Sequence, residues 1–209
     1  MNSAGLSVKG VSLDLHPLRS LFLKEERTLV VSDLHLGKAG HFRKHGIAIS
    51  KKVHLHDLFN LKWLLQEIQP EKVFFLGDLF HSDQNMEWQD FIDFLASYRH
   101  IDFTLIEGNH DILSRYPESL TVVKRVEIPP FSFTHFREKD DLYNISGHIH
   151  PGVTIRGRAR QGITMPCFLF SNDHCVMPAF GQFTGIKKVR PKQDDRVFAI
   201  VEEQVIELV

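Results

Sequence analysis

With 209 residues, 43% of them hydrophobic and 24% charged, the chain has the balance of an ordinary globular protein long enough to bury a substantial core. Its formal net charge of −1 excludes nucleic-acid binding by bulk electrostatics alone, so such a partner would need a local basic patch or bound metal. No apolar run is long enough for a bilayer, no charged-then-apolar leader opens the chain, and the two cysteines, Cys167 and Cys175, make no disulfide framework. The expectation is one domain over residues 1–209, with no membrane association, in a reducing cytoplasmic setting.

In chain order, Val11 to Leu15 with Leu21 to Leu23 reads as a β-hairpin, and Thr28-Leu29-Val30-Val31-Ser32 as a short buried strand. Leu55, Leu58, Phe59, Leu61, Leu65 and Ile68 recur at near-helical spacing and predict a helix from about Ile49 to Ile68 with one apolar stripe. Lys72-Val73-Phe74-Phe75-Leu76 is a second buried strand, Trp88, Phe91, Ile92 and Leu95 mark a second amphipathic helix, and Phe103-Thr104-Leu105-Ile106-Glu107 is a third strand. This alternation implies a parallel sheet with covering helices. After about Leu120 the texture changes to short β-branched and aromatic runs: Val122 to Ile128, Phe131 to Thr134, Tyr143 to Ser146, Phe168 to Phe170, Cys175 to Met177, Val197 to Val201 and Val205 to Leu208. These predict mostly antiparallel strands in a second sheet packed on the first.

Each parallel-type strand runs straight into a polar cluster: Ser32-Asp33-Leu34-His35, then Leu76-Gly77-Asp78, then Gly108-Asn109-His110-Asp111. The later half adds Thr134-His135 and Gly147-His148-Ile149-His150, each after a predicted strand. Ligand sites in open α/β sheets form beyond the carboxyl ends of the strands, so distant segments should converge there. Leaving His110 aside, they offer two carboxylates, one amide oxygen and four imidazoles. A single divalent ion takes about four to six ligands, so this set suits two ions with one carboxylate shared. If the chain stays extended, Asp33 and His35 point to the same side, as do His148 and His150. Gly77, Gly108 and Gly147 stand where the backbone would turn tightly.

The ordered set Asp33-x-His35, Gly77-Asp78, Gly108-Asn109-His110-Asp111, His135 and Gly147-His148-x-His150 resembles the full signature of the calcineurin-like metallophosphoesterases. That resemblance implies a four-layer α/β/β/α sandwich of two mixed sheets. It implies that Asp33, His35 and His150 bind a first metal, that Asn109, His135 and His148 bind a second, and that Asp78 bridges both. It also implies that His110 protonates or stabilises the leaving oxygen, that Asp111 orients His110, and that the metals activate the attacking water. Manganese leads as the metal, with iron or zinc as alternatives. Asp33-Leu34-His35-Leu36-Gly37-Lys38, Phe42-Arg43 and Gly46, together with Met177-Pro178-Ala179-Phe180-Gly181-x-Phe183-Thr184-Gly185, are similar to the bacterial DNA-ligase-associated metallophosphoesterases. This narrower resemblance implies a DNA-repair nuclease or phosphodiesterase with ligase and helicase partners. Ser50, where proline is expected, and Ile186, in place of a second glycine, depart from its loop pattern.

Taken singly, these residues have plainer roles: Asp and Asn cap helices and form turns, and a lone histidine is usually structural. Their occurrence as a set favours the metal reading. Lys38, Arg43 and His81 are candidates for substrate contact, and Arg156, Arg158 and Arg160 could line one face of a strand toward a phosphate backbone. Lys187, Lys188, Arg190 and Lys192 read as an exposed basic loop, and the two cysteines as buried thiols. Three functions compete: hydrolysis of phosphodiesters in nucleic acid; hydrolysis of a small-molecule phosphoester such as a nucleotide or lipid pyrophosphate; and, ranked last, non-catalytic binding on the same scaffold.

Overall fold

The computed structural model describes residues 1–38, 52–80, 86–113, 115–139, 141–157 and 161–208, with 52–54, 86 and 87 described by their backbone. The first sheet has the order β1 to β7. It begins as an antiparallel meander of β1 (Ala4–Val8), β2 (Val11–His16), β3 (Ser20–Leu23) and β4 (Thr28–Val31). From β4 it continues in parallel through β5 (Lys72–Phe75), β6 (Asp102–Ile106) and β7 (Leu120–Val123). Helix α1 (Lys52–Ile68) lies between β4 and β5, and α2 (Met86–Ser97) between β5 and β6. The central strands are almost wholly apolar because both of their faces are buried.

Leu29, Val31, Val73, Phe75, Phe103 and Leu105 pack against Leu58, Leu61, Leu64, Leu65, Phe91 and Leu95 of the helices. Leu55 and Phe59, assigned to the apolar stripe from spacing, are instead exposed, because the buried face runs through Leu58, Leu61 and Leu65 and leaves them on the other flank. The first residues expected in this helix, 49–51, lie outside the described residues.

The run Val122 to Ile128 is not one strand. β7 closes the first sheet, and β8 (Val126–Ile128) opens the second. The crossing falls at Lys124 and Arg125, whose charges pair with Glu107 on one side and with Glu127 and Glu138 on the other. The second sheet runs β14-β11-β12-β13-β10-β9-β8, with β15 on β12 and β16 on β15. Its members are β9 (Phe131–Thr134), β10 (Tyr143–Ser146), β11 (Pro151–Arg156), β12 (Gly162–Phe170), β13 (His174–Val176), β14 (Lys187–Lys188), β15 (Arg196–Val201) and β16 (Gln204–Leu208).

Most pairings in this sheet are antiparallel, as expected, but it is mixed: β9 with β10, β10 with β13 and β11 with β14 are parallel. Lys187 and Lys188, expected in a loop, pair as β14. The parallel pairing matters for the site, because β9 and β10 both end at the edge where β4, β5 and β6 end. Between the sheets, Leu13, Leu15, Leu21, Leu23, Val30, Phe74 and Ile106 meet Phe131, Phe133, Ile145, Phe168, Phe170 and Phe198.

The two sheets pack face to face as an α/β sandwich, the architecture that the resemblance implied. Both described helices lie on the first sheet. A buried polar layer lies on β9 and β10: Asn144 donates to Ser132 Oγ and Thr134 Oγ1, and accepts from the Glu138 amide.

Candidate metal centre

The segments leaving β4 and β5 stay laced together after the strands end. Asp33 N–H donates to the Gly77 carbonyl, His35 N–H to Asp78 and Leu36 N–H to Leu79. On the far side, Phe180 N–H donates to Ser32 and Gly181 N–H to Asp33. The Asp33 backbone is therefore held from both flanks.

The two-residue spacings work differently from the extended chain expected. Strand β4 ends at Val31, and Asp33 (φ 53°) and His35 (φ 52°) are left-handed. The same holds for Asp78 (φ 48°), His148 (φ 66°) and His150 (φ 52°). Each such residue costs about 1–3 kcal/mol, and clusters of them mark sites where the fold imposes a conformation. Alternating left-handed turns, rather than strand pleat, aim these side chains into one place.

The glycines divide by role. Gly77 (φ 74°) is a true left-handed turn, and a Cβ there would strike the His135 ring. Gly108 and Gly147 are needed for close approach instead, since a Cβ would meet Asp78 and Asp33 respectively.

Two groups of donors result. In the first, Asp33, His35 and His150 converge, with His150 Nε2 3.1 Å from Asp33 Oδ1. In the second, Asp78, His135 and His148 converge, with His135 Nε2 3.5 Å from Asp78 Oδ1 and 3.2 Å from His148 Nδ1. Asn109 Oδ1 joins the second group, 3.2 Å from His135 Nε2. Asp78 connects the groups, its other oxygen lying 3.9 Å from His35 Nε2. Asp33, His35, Asp78 and His135 are buried.

Ring tautomers follow from the outer contacts. His135 Nδ1 lies 2.9 Å from the Leu76 carbonyl and His150 Nδ1 lies 3.2 Å from that of Gly185. Both carbonyls fix the proton on Nδ1 and leave Nε2 as a lone pair facing the cluster. Buried Asp33 Oδ1 and His150 Nε2 have no hydrogen-bond partner. Acceptor atoms from carboxylate, amide and imidazole thus point at one another, an arrangement that repels itself unless cations sit among them. The donor set fits two divalent ions. Burial, with the neighbouring His135, pushes the His148 imidazole below its ordinary pKa against the pull of Asp33 and Asp78, which keeps it a neutral donor.

His110 sits exposed at the mouth, its N–H donating to Asp78 Oδ1 (2.9 Å) and its ring edge-on to His35 at 5.6 Å. Asp111 is buried, and its carboxylate receives the Phe80 and Gly108 amides, both at 2.9 Å. It therefore braces the backbone of the loop that carries His110. Burial raises its pKa against those two hydrogen bonds. Tyr116 closes the loop from behind, its hydroxyl contacting Glu107 and the Asp111 carbonyl.

Lys38 lies close enough to Asp78 and Asp33 to feel both carboxylates, while burial lowers its pKa. Arg43 and His81, together with Arg158 and Arg160, lie outside the described residues. The cysteines are buried free thiols apart from the centre.

Residue patterns did not reveal the supporting role of residues 178–185. Ser32 Oγ donates to the Pro178 carbonyl, Arg19 to those of Ala179 and Gly181, and Gly185 holds His150. The only signal was the motif-like run Met177 to Gly185.

Paired clusters of imidazole and carboxylate beyond the strand ends of two packed mixed sheets define a metal-dependent phosphoesterase. The family model for calcineurin-like phosphoesterases matches residues 26–189, and the chain belongs to that family. Among solved structures it is similar to Pseudomonas putida nuclease MPE, at 26% identity and a TM-score of 0.85, covering 99% of this chain and 100% of that one. It also matches Yfce, a phosphoesterase from E. coli, at 12% identity and a TM-score of 0.44, covering 87% of this chain and 97% of that one. A search of curated proteins found no match. Among the described residues, no helix is long and apolar enough to cross a membrane.

Proposed function

We propose that residues 1–209 act as one domain that hydrolyses phosphodiester bonds in nucleic acid, with two divalent cations, manganese first among them. The observation that carries this reading is the convergence of two donor groups on Asp78, with lone pairs turned inward. Asp33, His35 and His150 would hold one ion, Asn109, His135 and His148 the other, and Asp78 both. Bound ions supply Lewis-acid polarisation of the phosphoryl group and a water acidic enough to react near neutral pH.

The chain's own residues complete the chemistry. His110, at the open mouth, gives a proton to the departing oxygen. Asp111 fixes the loop that presents it, and Lys38, with Arg43 and His81, meets the substrate's phosphate. The likeness to a bacterial nuclease supports nucleic acid as the substrate; the motif resemblance to the DNA-ligase-associated group is what points to DNA repair in the cytoplasm, beside ligase and helicase, as the setting.

The test is manganese-dependent cleavage of an aryl phosphodiester and of DNA, with His110→Ala inactive at unchanged metal content. Full activity in that variant sinks the assigned acid. A second reading, a small-molecule phosphoesterase, is favoured by the net charge of −1. Turnover of cyclic nucleotides in preference to single-stranded and duplex DNA would select it.

A further inference from the structure

Strand β9 buries Phe131 and Phe133 completely, yet the next aromatic, Phe136, is 47% exposed. It follows His135 directly. Its ring centroid lies 4.7 Å from that of His135, edge-on, and 4.5 Å from that of His148, tilted. Part of the ring therefore covers two imidazoles of the second donor group, and the rest faces solvent at the rim of the centre. Covering the imidazoles needs only apolar bulk, which a leucine would supply without exposing an aromatic face. The backbone here is held in place, because Thr134 Oγ1 donates to the Phe136 carbonyl at 2.6 Å. The aromatic face is thus presented on a fixed element beside the position of the reacting phosphate.

A nucleotide whose phosphate occupies the centre extends its sugar and base past the ligand imidazoles. A base has a π-face regardless of its identity, and stacking on an aromatic side chain is how proteins grip unpaired bases without reading their sequence. We propose that Phe136 is the base-stacking residue of this site and sets its preference for nucleotidyl esters over plain phosphodiesters. This rests on the phosphodiesterase reading above and adds the residue that recognises the nucleoside.

Two substrates with one leaving group separate the roles: thymidine 5′-(4-nitrophenyl) phosphate and methyl 4-nitrophenyl phosphate. The quantity read is the ratio of their kcat/KM values with manganese. Phe136→Ala and Phe136→Leu should each lower that ratio about tenfold, while Phe136→Trp should hold or raise it. A ratio unchanged in both the Ala and Leu variants overturns the proposal. That includes the case in which both rates fall together, since ring packing on the ligands affects both substrates alike.

Calorimetry on manganese-loaded protein reads the same contact without turnover. Thymidine 5′-monophosphate should lose affinity in Phe136→Leu while inorganic phosphate does not. Failure of the wild-type protein to cleave either ester would defeat the phosphodiesterase reading. Equal losses for nucleotide and phosphate would defeat the stacking residue.

Discussion

His135 Nδ1 lies 2.9 Å from the carbonyl oxygen of Leu76, the residue that follows β5 in the opposite sheet. This contact ties the two sheets at the level of the donor groups and turns Nε2 of the ring toward Asp78. Gly77 follows at φ 74°, with no room for a Cβ beside the ring. Gly77→Ala should displace His135 and cut metal uptake. Gly10→Ala is the control, since Gly10 has φ 85° but open space around it, and it should cost only about 1 kcal/mol of stability. Metal content after dialysis and thermal melts compare the two. Full metal loading of Gly77→Ala would show that the ring contact does not hold the centre.

The Asp78 carboxylate reaches both described donor groups, 3.5 Å from His135 and 3.9 Å from His35. Asp78→Asn should weaken both ions and lower activity by more than about 100-fold. His150→Ala should leave the Asp78, His135 and His148 group able to retain one. The metal-to-protein ratio decides between them. If the two variants lose metal identically, Asp78 does not serve both groups.

Tyr116 touches Glu107 and the Asp111 carbonyl with one hydroxyl. Tyr116→Phe should cost about 1 kcal/mol of stability and reduce kcat several-fold at unchanged metal content, because the loop presenting His110 loosens. Urea unfolding and steady-state kinetics check this. A kcat equal to wild type would confine Tyr116 to stability alone.

His16, which belongs to neither donor group, has its pKa lowered by burial, and secondarily by the N-terminal charge, from 6.5 to about 4. Its Nδ1 accepts the Leu18 amide at 3.1 Å. The folded state prefers the neutral ring, so its contribution is full above pH 6.5 and is lost as pH falls toward 4. His16→Asn keeps an acceptor but cannot titrate. Its urea midpoint should fall less than that of wild type between pH 7 and pH 5, and parallel losses would remove His16 from the acid response.

Much of the first sheet was legible, because β4, β5 and β6 are apolar runs closed by polar clusters and separated by helical periodicity. Less was legible where burial is partial. β1 buries only Leu6 and pairs on one side, so no alternation announced it. The break between β7 and β8 hid inside a continuous β-branched run, since sheet membership depends on where Lys124 and Arg125 find partners. Leu55 and Phe59 matched a helical period but lie off the face that meets the sheet.

The sequence by itself determined the chemistry available: which carboxylates, amide and imidazoles exist, in what order, and that each follows a strand. Residue types and hydrophobic periodicity are local properties of the chain and can be read from it. Only the tertiary structure decided how those donors aim. Left-handed turns at Asp33, His35, Asp78, His148 and His150, carbonyls from Leu76 and Gly185 setting tautomers, and the Phe80 amide received by Asp111 all depend on neighbours distant along the chain. Such contacts exist only once β9 and β10 run parallel and deliver their ends to the edge where the first sheet also ends.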